Sequence, residues 1–436
     1  MNDPETLKMF RQRKRRPVLL VIIALIVVAG GWIAWTWAHV APKERLEAGA
    51  EYPDMPADAH HHYIDLPLDH ADPAGPRYRG FYILSANFDA HGPVVFLLTD
   101  GQMELVHPGI DMAFFDMQLS GVAYVLIGHR GHKPAQFPEV YPGGSLDIAA
   151  AMKFYGSWQQ VEDIEAVRQE MVRKQLLPED GRIMLFGASG AGVLAQQYIA
   201  RHGEHVSRAM LVTTGAPDLS RRLSRTYARP LRELDQDAAA HLSHAGPDPA
   251  RAWLAFQLSR SGAAGLDTLR SVAAADAGGN PLPRIWQSLH PSRNWTIARL
   301  AMTMPAADAA KVRMYELMGS DLRARVGDDD VPLYRWSATV LGSFLSGKVL
   351  PPGLELDRSR YAGEVLVVSA EGDAVFSPTV GQAIASSYPN AAYLLVRGGH
   401  RLELDRPYHN ALRATFFRRG LQAPEVRQLL AQAPRS

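Results

Sequence analysis

The chain has 436 residues, of which 47% are hydrophobic and 21% are charged, and its formal net charge is +1. This length suits a large single-core domain with an insertion, or two domains, and the balanced charge does not indicate nucleic-acid binding. The chain contains no cysteine, which excludes disulfides, thiolate metal ligands and a cysteine nucleophile.

A basic cluster followed by a long apolar run forms the N-terminus. Six Lys and Arg residues lie between positions 8 and 16, and residues 17–40 carry no charge. This run exceeds the roughly 20 residues that a helix needs to cross a bilayer, and three tryptophans cluster towards its far end. We therefore predict a signal anchor in the inner membrane, with the basic tail in the cytoplasm and the rest of the chain on the periplasmic side. A cleaved signal peptide is the alternative, although no A-x-A site follows the run.

Strand signals begin after a linker rich in proline and charge at residues 41–59. Residues 62–69 and 77–86 alternate between apolar and polar side chains on either side of a turn, which predicts an antiparallel hairpin. Continuous apolar runs at 93–98 and 121–127 predict strands that are buried on both faces.

Helices and strands then alternate. An amphipathic pattern predicts a helix at 157–177, and a shorter helix is expected at 109–119. The apolar run 182–187 predicts a strand that leads directly into a helix at 190–201, and 207–213 is the next buried strand. This alternation predicts a mostly parallel sheet.

The turn between the strand and helix near position 189 reads Gly187-Ala188-Ser189-Gly190-Ala191, which is close to the pattern G-x-S-x-G. A tight strand-to-helix turn of this kind strains the serine backbone, requires small neighbours and exposes the hydroxyl at the end of the sheet. We therefore predict Ser189 as a nucleophile, on an elbow formed with Gly187, Ala188 and Ala191.

Two backbone N–H groups are predicted to form an oxyanion hole beside this serine. One belongs to Gly190, the residue after the nucleophile. The other belongs to Gln102, in the turn after the strand at 93–98. An ordinary turn built on Asp100-Gly101 is the alternative interpretation of that second segment.

Strand signals stop after position 214, and helical patterns broken by proline and glycine continue to about 360. We predict a helical cap over the serine, with the aromatic side chains either forming pocket wall or filling the core of the cap. These aromatic residues are Trp253, Trp286, Trp295, Tyr315, Tyr334 and Trp336. A group of arginines is expected to be a solvated helix face, or alternatively to bind a substrate carboxylate; it comprises Arg221, Arg222, Arg225, Arg229 and Arg232.

The closing half supplies an acid and a histidine. Residues 364–370 predict a buried strand followed by Asp373, and residues 392–396 predict the last strand, followed by His400. The chain order Ser189, Asp373, His400, with each residue at a strand end, predicts a catalytic triad that acts through an acyl-enzyme. No metal ligands or cofactor are predicted.

These motifs resemble the α/β-hydrolase fold, and three stretches are similar to the proline iminopeptidase and tripeptidyl-aminopeptidase-like hydrolases. Residues 64–70 resemble the first strand of that group, residues 128–131 its Asp-Gln-Arg-Gly loop, and residues 157–165 its Thr-Trp…Asp-Ile-Glu helix. The chain departs from the pattern at Gly128-His129, where the group has Asp-Gln, and at residues 99–103, which lack its His-Gly-Gly-Pro-Gly segment.

The resemblance implies a mostly parallel, doubly wound sheet with a helical cap, and an aminopeptidase that acts on short peptides. In that group acidic cap residues bind the substrate's amine, and the cap here offers Glu233, Asp235, Asp237 and Glu316. A carboxylic ester hydrolase or lipase-like esterase is the alternative, and a non-catalytic binding protein on the same fold is a third.

The predicted organisation thus has six parts. They are a cytoplasmic basic tail (1–16), a transmembrane signal anchor (17–40), a linker (41–59), the first part of the hydrolase core (60–215), a helical cap (216–360) and the second part of the core (361–436).

Overall fold

The chain divides into two compact units, Met1–Glu47 and Ala48–Ser436. The computed structural model describes residues 27, 28, 30–32, 55, 56, 58–90, 92–100, 106, 110–244, 248–326 and 329–434. In the first unit residues 27, 28 and 30–32 are helical, and most of the predicted anchor at 17–40 lies outside the described residues. None of the helices within the described ranges has the length and apolar character that a membrane span requires.

The second unit contains a sheet whose eight strands all coincide with predicted ones. The strands are β1 (His61–Pro67), β2 (Arg77–Leu84), β3 (Val94–Leu97), β4 (Ala123–Ile127), β5 (Ile183–Ala188), β6 (Val206–Val212), β7 (Glu364–Ala370) and β8 (Ala391–Val396). Their spatial order is β1-β2-β4-β3-β5-β6-β7-β8. β1 pairs antiparallel with β2 and β2 with β4, whereas all other neighbours are parallel. The predictions of a hairpin and of a mostly parallel sheet are confirmed.

Both faces of the sheet are covered, which explains the continuous apolar runs. In β3, Val94 and Phe96 belong to one hydrophobic core while Val95 and Leu97 belong to the core on the other face. All four side chains are at most 5% exposed. Strands buried on both faces are typical of parallel sheets with helices on each side.

Helices flank the sheet and fill the segment between β6 and β7. The helices before that segment are α1 (Ala113–Gln118), α2 (Ile148–Tyr155), α3 (Ser157–Arg173) and α4 (Gly190–His202). Those within it are α5 (Pro217–Arg222), α6 (Gln236–His244), α7 (Pro249–Ser259), α8 (Gly262–Ala277), α9 (Leu282–Ser288), α10 (Trp295–Met302), α11 (Asp308–Ala324), α12 (Pro332–Val340) and α13 (Gly342–Ser346). The last three helices are α14 (Pro378–Ser386), α15 (Arg406–Arg419) and α16 (Pro424–Ala431).

The segment between β6 and β7 has a hydrophobic core of its own, formed by Leu231, Leu254, Leu258, Leu266 and neighbours. Its described residues form helices and no strand.

The aromatic residues proposed for a pocket wall differ in burial. Tyr315 and Tyr334 are fully buried, whereas Trp286 is 73% exposed. Trp253 packs edge-on against Trp336, with ring centroids 4.9 Å apart.

A buried polar network joins the three stretches on which the family resemblance depends. The Asp163 carboxylate on α3 accepts hydrogen bonds from Arg130 Nε (2.6 Å) and Nη2 (2.7 Å) and from the Tyr78 hydroxyl (2.7 Å). Its Oδ1 also lies 2.7 Å from His70 Nε2. Burial alone would raise the pKa of Asp163, but the Arg130 charge and these hydrogen bonds hold it below its usual value.

We expect Asp163→Ala to lower the free energy of unfolding by about 3–5 kcal/mol, because it leaves the Arg130 guanidinium, 1% exposed, without its counter-ion. Urea unfolding measures the loss. Asp65→Ala is the matched control, because the Asp65–Arg77 pair is largely exposed and such pairs contribute little. Equal losses in the two variants would contradict the role assigned to the network.

Candidate active site

Ser189 stands in the turn where β5 ends and α4 begins. Its backbone has φ 57° and ψ −130°, a left-handed conformation that costs a non-glycine residue on the order of 1–3 kcal/mol. Surrounding groups hold this conformation: the Ser189 N–H donates to the Val212 carbonyl at 3.0 Å, and the Ser189 carbonyl accepts from Gly192 N–H and from the Thr214 hydroxyl. The strained turn therefore holds the Ser189 side chain at the carboxyl end of the sheet.

Two glycines make the turn possible. A Cβ atom on Gly187 would lie 2.5 Å from the Ala191 carbonyl oxygen, and one on Gly192 would lie 2.4 Å from Thr214 Oγ1. Ala191 is accommodated, and only 4% of its surface is exposed. The crowded position is therefore Gly192, one residue later than the last glycine of G-x-S-x-G, which accounts for the departure from that pattern.

The structure brings His400 and Asp373 to Ser189. His400 Nε2 lies 3.1 Å from Ser189 Oγ, and His400 Nδ1 lies 3.1 Å from each carboxylate oxygen of Asp373. Asp373 follows β7 and His400 follows β8, so the three residues meet where these parallel strands end. Asp373 is 1% exposed and His400 6%, which keeps water away from the interaction between them.

Asp373 is held in its orientation from several sides. Its Oδ1 accepts hydrogen bonds from the N–H groups of Val375 (2.7 Å) and Phe376 (3.1 Å). Arg229, from the segment between β6 and β7, donates to the carbonyl oxygens of Asp373 (2.9 Å) and Glu371 (3.1 Å). A carboxylate fixed in this way selects the tautomer with the proton on Nδ1, which leaves Nε2 of His400 free to accept the serine proton.

The structure describes one of the two residues that were predicted to donate to the oxyanion. Gln102 lies outside the described residues. Gly190 is the first residue of α4, where N–H groups have no carbonyl partner within the helix, and it directly follows Ser189. The Gly190 carbonyl accepts a hydrogen bond from Arg313 Nη2 at 3.3 Å, which ties the turn to α11.

Sequence reasoning did not single out Arg313, and it treated Arg229 only as part of a surface patch. Each acts through backbone carbonyl groups far away in the chain, so no local pattern marks either one. Arg313 is fully buried, with Gln197 and Glu316 as further partners.

The arginine patch is paired with acids rather than open to a ligand. Arg221 and Arg222 donate to Glu355, Arg225 and Arg229 lie against Glu233, and Arg232 pairs with Asp330. These contacts differ from both a simply solvated helix face and a carboxylate-binding site.

His129, in the loop that departs from the family pattern, is buried beside the turn after β3. Its Nε2 pairs with the Thr99 hydroxyl, and its ring lies 5.7 Å from that of His132. Burial, with the nearby His132, lowers the pKa of His129 to about 3. His129 is therefore neutral at pH 7.

Because His129 is buried in its neutral form, the free energy of unfolding depends on pH. Below pH 6.5 the unfolded chain binds a proton at His129 that the folded chain binds only near pH 3, so stability falls as the pH is lowered through that window. Between pH 6.5 and pH 4 the expected loss from this residue is about 3 kcal/mol. Urea unfolding of His129→Asn should show a shallower fall in free energy over the same range. Identical pH slopes in the two proteins would contradict this assignment.

One group of potential metal ligands occurs in the described part of the chain. The donor atoms of Glu165, His202 and His205 lie within 4.8 Å of one another. Glu165 already accepts two hydrogen bonds from Arg168 and one from Tyr198, which leaves little capacity for a cation. His205 precedes β6, at the edge of the sheet opposite Ser189.

A comparison with models of protein families gives no match, and none of the curated proteins matches the sequence. Similar solved structures include the 2-hydroxy-6-oxo-6-phenylhexa-2,4-dienoate hydrolase of Rhodococcus sp. strain RHA1. It has 15% sequence identity and a TM-score of 0.41, over 82% of this chain and 99% of that one. An esterase from Exiguobacterium antarcticum has 14% identity and a TM-score of 0.39, over 78% of this chain and 96% of the esterase.

Because these sequence identities and TM-scores are low, we assign the fold from the chain's own geometry. The two strands of the hairpin β1-β2 are followed in the sheet by six mutually parallel strands, in the order β4-β3-β5-β6-β7-β8. A serine occupies the strained turn after β5, an acid follows β7 and a histidine follows β8. These features together are those of the α/β-hydrolase fold.

Proposed function

We propose that this protein is a serine hydrolase that cleaves carboxylic esters through an acyl-enzyme. The observation that carries the proposal is the placement of Ser189 Oγ 3.1 Å from His400 Nε2, with Asp373 on the opposite ring nitrogen. In this mechanism His400 takes the Ser189 proton as the oxygen attacks the ester carbonyl, and then returns the proton to the leaving alcohol. In the second half of the reaction His400 takes a proton from water as the water oxygen attacks the acyl-enzyme carbonyl. His400 then returns the proton to Ser189 Oγ, and the carboxylic acid leaves.

We favour esters over peptides because three of the four cap acids that could bind a substrate amine already pair with arginines. An aminopeptidase needs an ionised carboxylate for the substrate's ammonium group. Glu233 pairs with Arg225 and Arg229, and Asp235 pairs with Arg270. Glu316 contacts Arg313 and accepts from Ser157 N–H at 2.9 Å.

Burial also raises the pKa of Glu316 despite the nearby Arg313 charge, which disfavours its ionised form. The fourth acid is Asp237 on α6. It would have to bind the amine if the protein were an aminopeptidase of the proline iminopeptidase type, which the motifs resemble.

Turnover of p-nitrophenyl butyrate, compared with that of proline and alanine p-nitroanilides, distinguishes the two activities. We expect the ester to be hydrolysed and the arylamides to be hydrolysed far more slowly or not at all. Faster arylamide turnover would favour the aminopeptidase and overturn the ester assignment. Absence of turnover, together with absence of labelling by a fluorophosphonate, would favour a non-catalytic binding protein.

We also propose that residues 17–40 anchor the enzyme in the inner membrane with the hydrolase core on the periplasmic side. The uncharged run and the preceding basic residues support this orientation. The full chain should remain in the membrane fraction after carbonate extraction, and protease added to spheroplasts should digest the hydrolase core. Release into the carbonate supernatant, or complete protection from the protease, would contradict the anchor or its orientation.

A further inference from the structure

The turn between α7 and α8 lies directly on the loop that carries His400. A Cβ atom on Gly399 would lie 2.3 Å from the Gly262 backbone nitrogen and 2.9 Å from the Arg260 carbonyl oxygen. Gly262 has a φ of 61°, which a side chain there would strain. The two backbones are therefore in close contact, and Arg260 is placed beside the loop that contains His400 and Arg401.

The Arg260 guanidinium is partly desolvated and has no counter-ion among the described residues. Its Nε is buried and has no hydrogen-bond partner, and no carboxylate of the described residues forms an ion pair with it. Its Cζ lies 5.3 Å from the centre of the Phe256 ring, which supports the cation from one side. Burial, and then the Arg401 charge, lower the pKa of Arg260 to about 10, while Asp373 and Asp100 act in the opposite direction.

Arg401 adds a second cation at the same place. Its Nη2 lies 3.4 Å from Gln257 Oε1, one turn before Arg260 on α7, and it forms no ion pair within the described ranges. The paired arginines of the same insertion, such as Arg222 with Glu355, provide the contrast. Arg401 is exposed, but a partly buried guanidinium such as that of Arg260 is normally paired, because an isolated charge loses its hydration on burial.

We propose that Arg260 and Arg401 form an anion subsite beside His400, and that the ester substrate carries a carboxylate which binds there. This inference rests on the proposed esterase activity and names its substrate class. A guanidinium binds a carboxylate through short, charge-assisted hydrogen bonds.

The bound anion also has an electrostatic effect on the reaction. His400 becomes positively charged when it takes the Ser189 proton, and the two neighbouring guanidinium groups oppose that charge. A substrate carboxylate neutralises part of their field at the moment the imidazolium forms. An anionic ester is therefore favoured in the transition state as well as in binding.

Two pairs of esters test the proposal and identify which side of the ester carries the charge. p-Nitrophenyl hemiglutarate and p-nitrophenyl butyrate differ in a carboxylate on the acyl part, whereas 4-acetoxybenzoate and its methyl ester differ in a carboxylate on the alcohol part. The full-length wild-type protein should prefer the anionic member of at least one pair in kcat/KM. Hydrolysis of the neutral esters with no preference in either pair would overturn the anion subsite and leave the esterase assignment intact.

Arg260→Gln should lower the preference for the anionic ester by about 10- to 100-fold, as expected for the loss of charge-assisted hydrogen bonds. Arg401→Gln should lower it less, since Arg401 is exposed, and Arg260→Lys should retain part of it. Arg222→Gln removes the same charge from a paired site on the same insertion and should leave the preference unchanged. A preference that survives Arg260→Gln and Arg401→Gln together would overturn the assignment.

Binding provides a readout that does not depend on turnover. Calorimetric titration of glutarate into Ser189→Ala protein should give binding that is at least about 10-fold weaker when Arg260→Gln is added. Equal binding, or none to either protein, would contradict the subsite whatever the activity assays give. Circular dichroism and thermal unfolding identify a variant that has failed to fold, in which case Arg260→Lys and Arg401→Gln decide the question.

Discussion

Replacing Ser189 with alanine is expected to lower kcat for ester hydrolysis by about 10⁵- to 10⁶-fold, the loss typical of removing the nucleophile from such a triad. Alanine lacks only the hydroxyl that lies 3.1 Å from His400 Nε2, so the fold should remain intact. Steady-state kinetics with p-nitrophenyl butyrate measure the loss, and thermal unfolding checks the fold.

Ser224→Ala is the matched control for this substitution. Ser224 also has a left-handed backbone, with φ 53°, but it is exposed and lies after α5 rather than at the sheet edge. It should retain wild-type activity. Residual activity above about one per cent in folded Ser189→Ala protein would contradict the role of Ser189, because a serine nucleophile contributes far more than that.

Asp373→Asn is expected to lower kcat by about 10⁴-fold while it leaves the shape of the site unchanged. The N–H groups of Val375 and Phe376 both donate to Oδ1 of Asp373. In the variant these donors hold the amide oxygen at the Oδ1 position, so the amide NH₂ takes the Oδ2 position, which is also 3.1 Å from Nδ1 of His400. His400 then carries its proton on Nε2 and cannot accept one from Ser189.

The same kinetic assay measures this effect, with Asp357→Asn as the control. Asp357 is an exposed acid whose partners include Ser359, and it lies outside the site. A loss smaller than about 10-fold in Asp373→Asn would show that the carboxylate does not set the tautomer of His400, since wrong-tautomer variants lose far more.

The strands and the positions of the three site residues could be predicted because they follow from local pattern and one topological rule. A continuous apolar run such as 183–188 is typical of a strand that is covered on both faces. Parallel strands end at the same edge, so residues within a few positions after β5, β7 and β8 lie near that edge even though position 189 and position 400 are far apart in the chain.

The contacts made by the helical insertion could not be predicted in this way. Arg313 and Arg260 come from α11 and the end of α7, and they contact the site through the Gly190 carbonyl and the backbone of Gly399. Such contacts depend on how helices of one segment pack on loops of another. Residue type and spacing do not determine that packing, so the sequence pattern indicated the arginine group at 221–232 and not Arg260.

Labelling with a fluorophosphonate tests the central claim most directly. The full-length folded protein should gain the mass of one phosphonyl group, and peptide mapping should place it on Ser189. Ser189→Ala protein should gain none, and His400→Ala protein should react far more slowly, because its serine has no base. An unlabelled wild-type protein, or a label on any residue other than Ser189, would contradict the account.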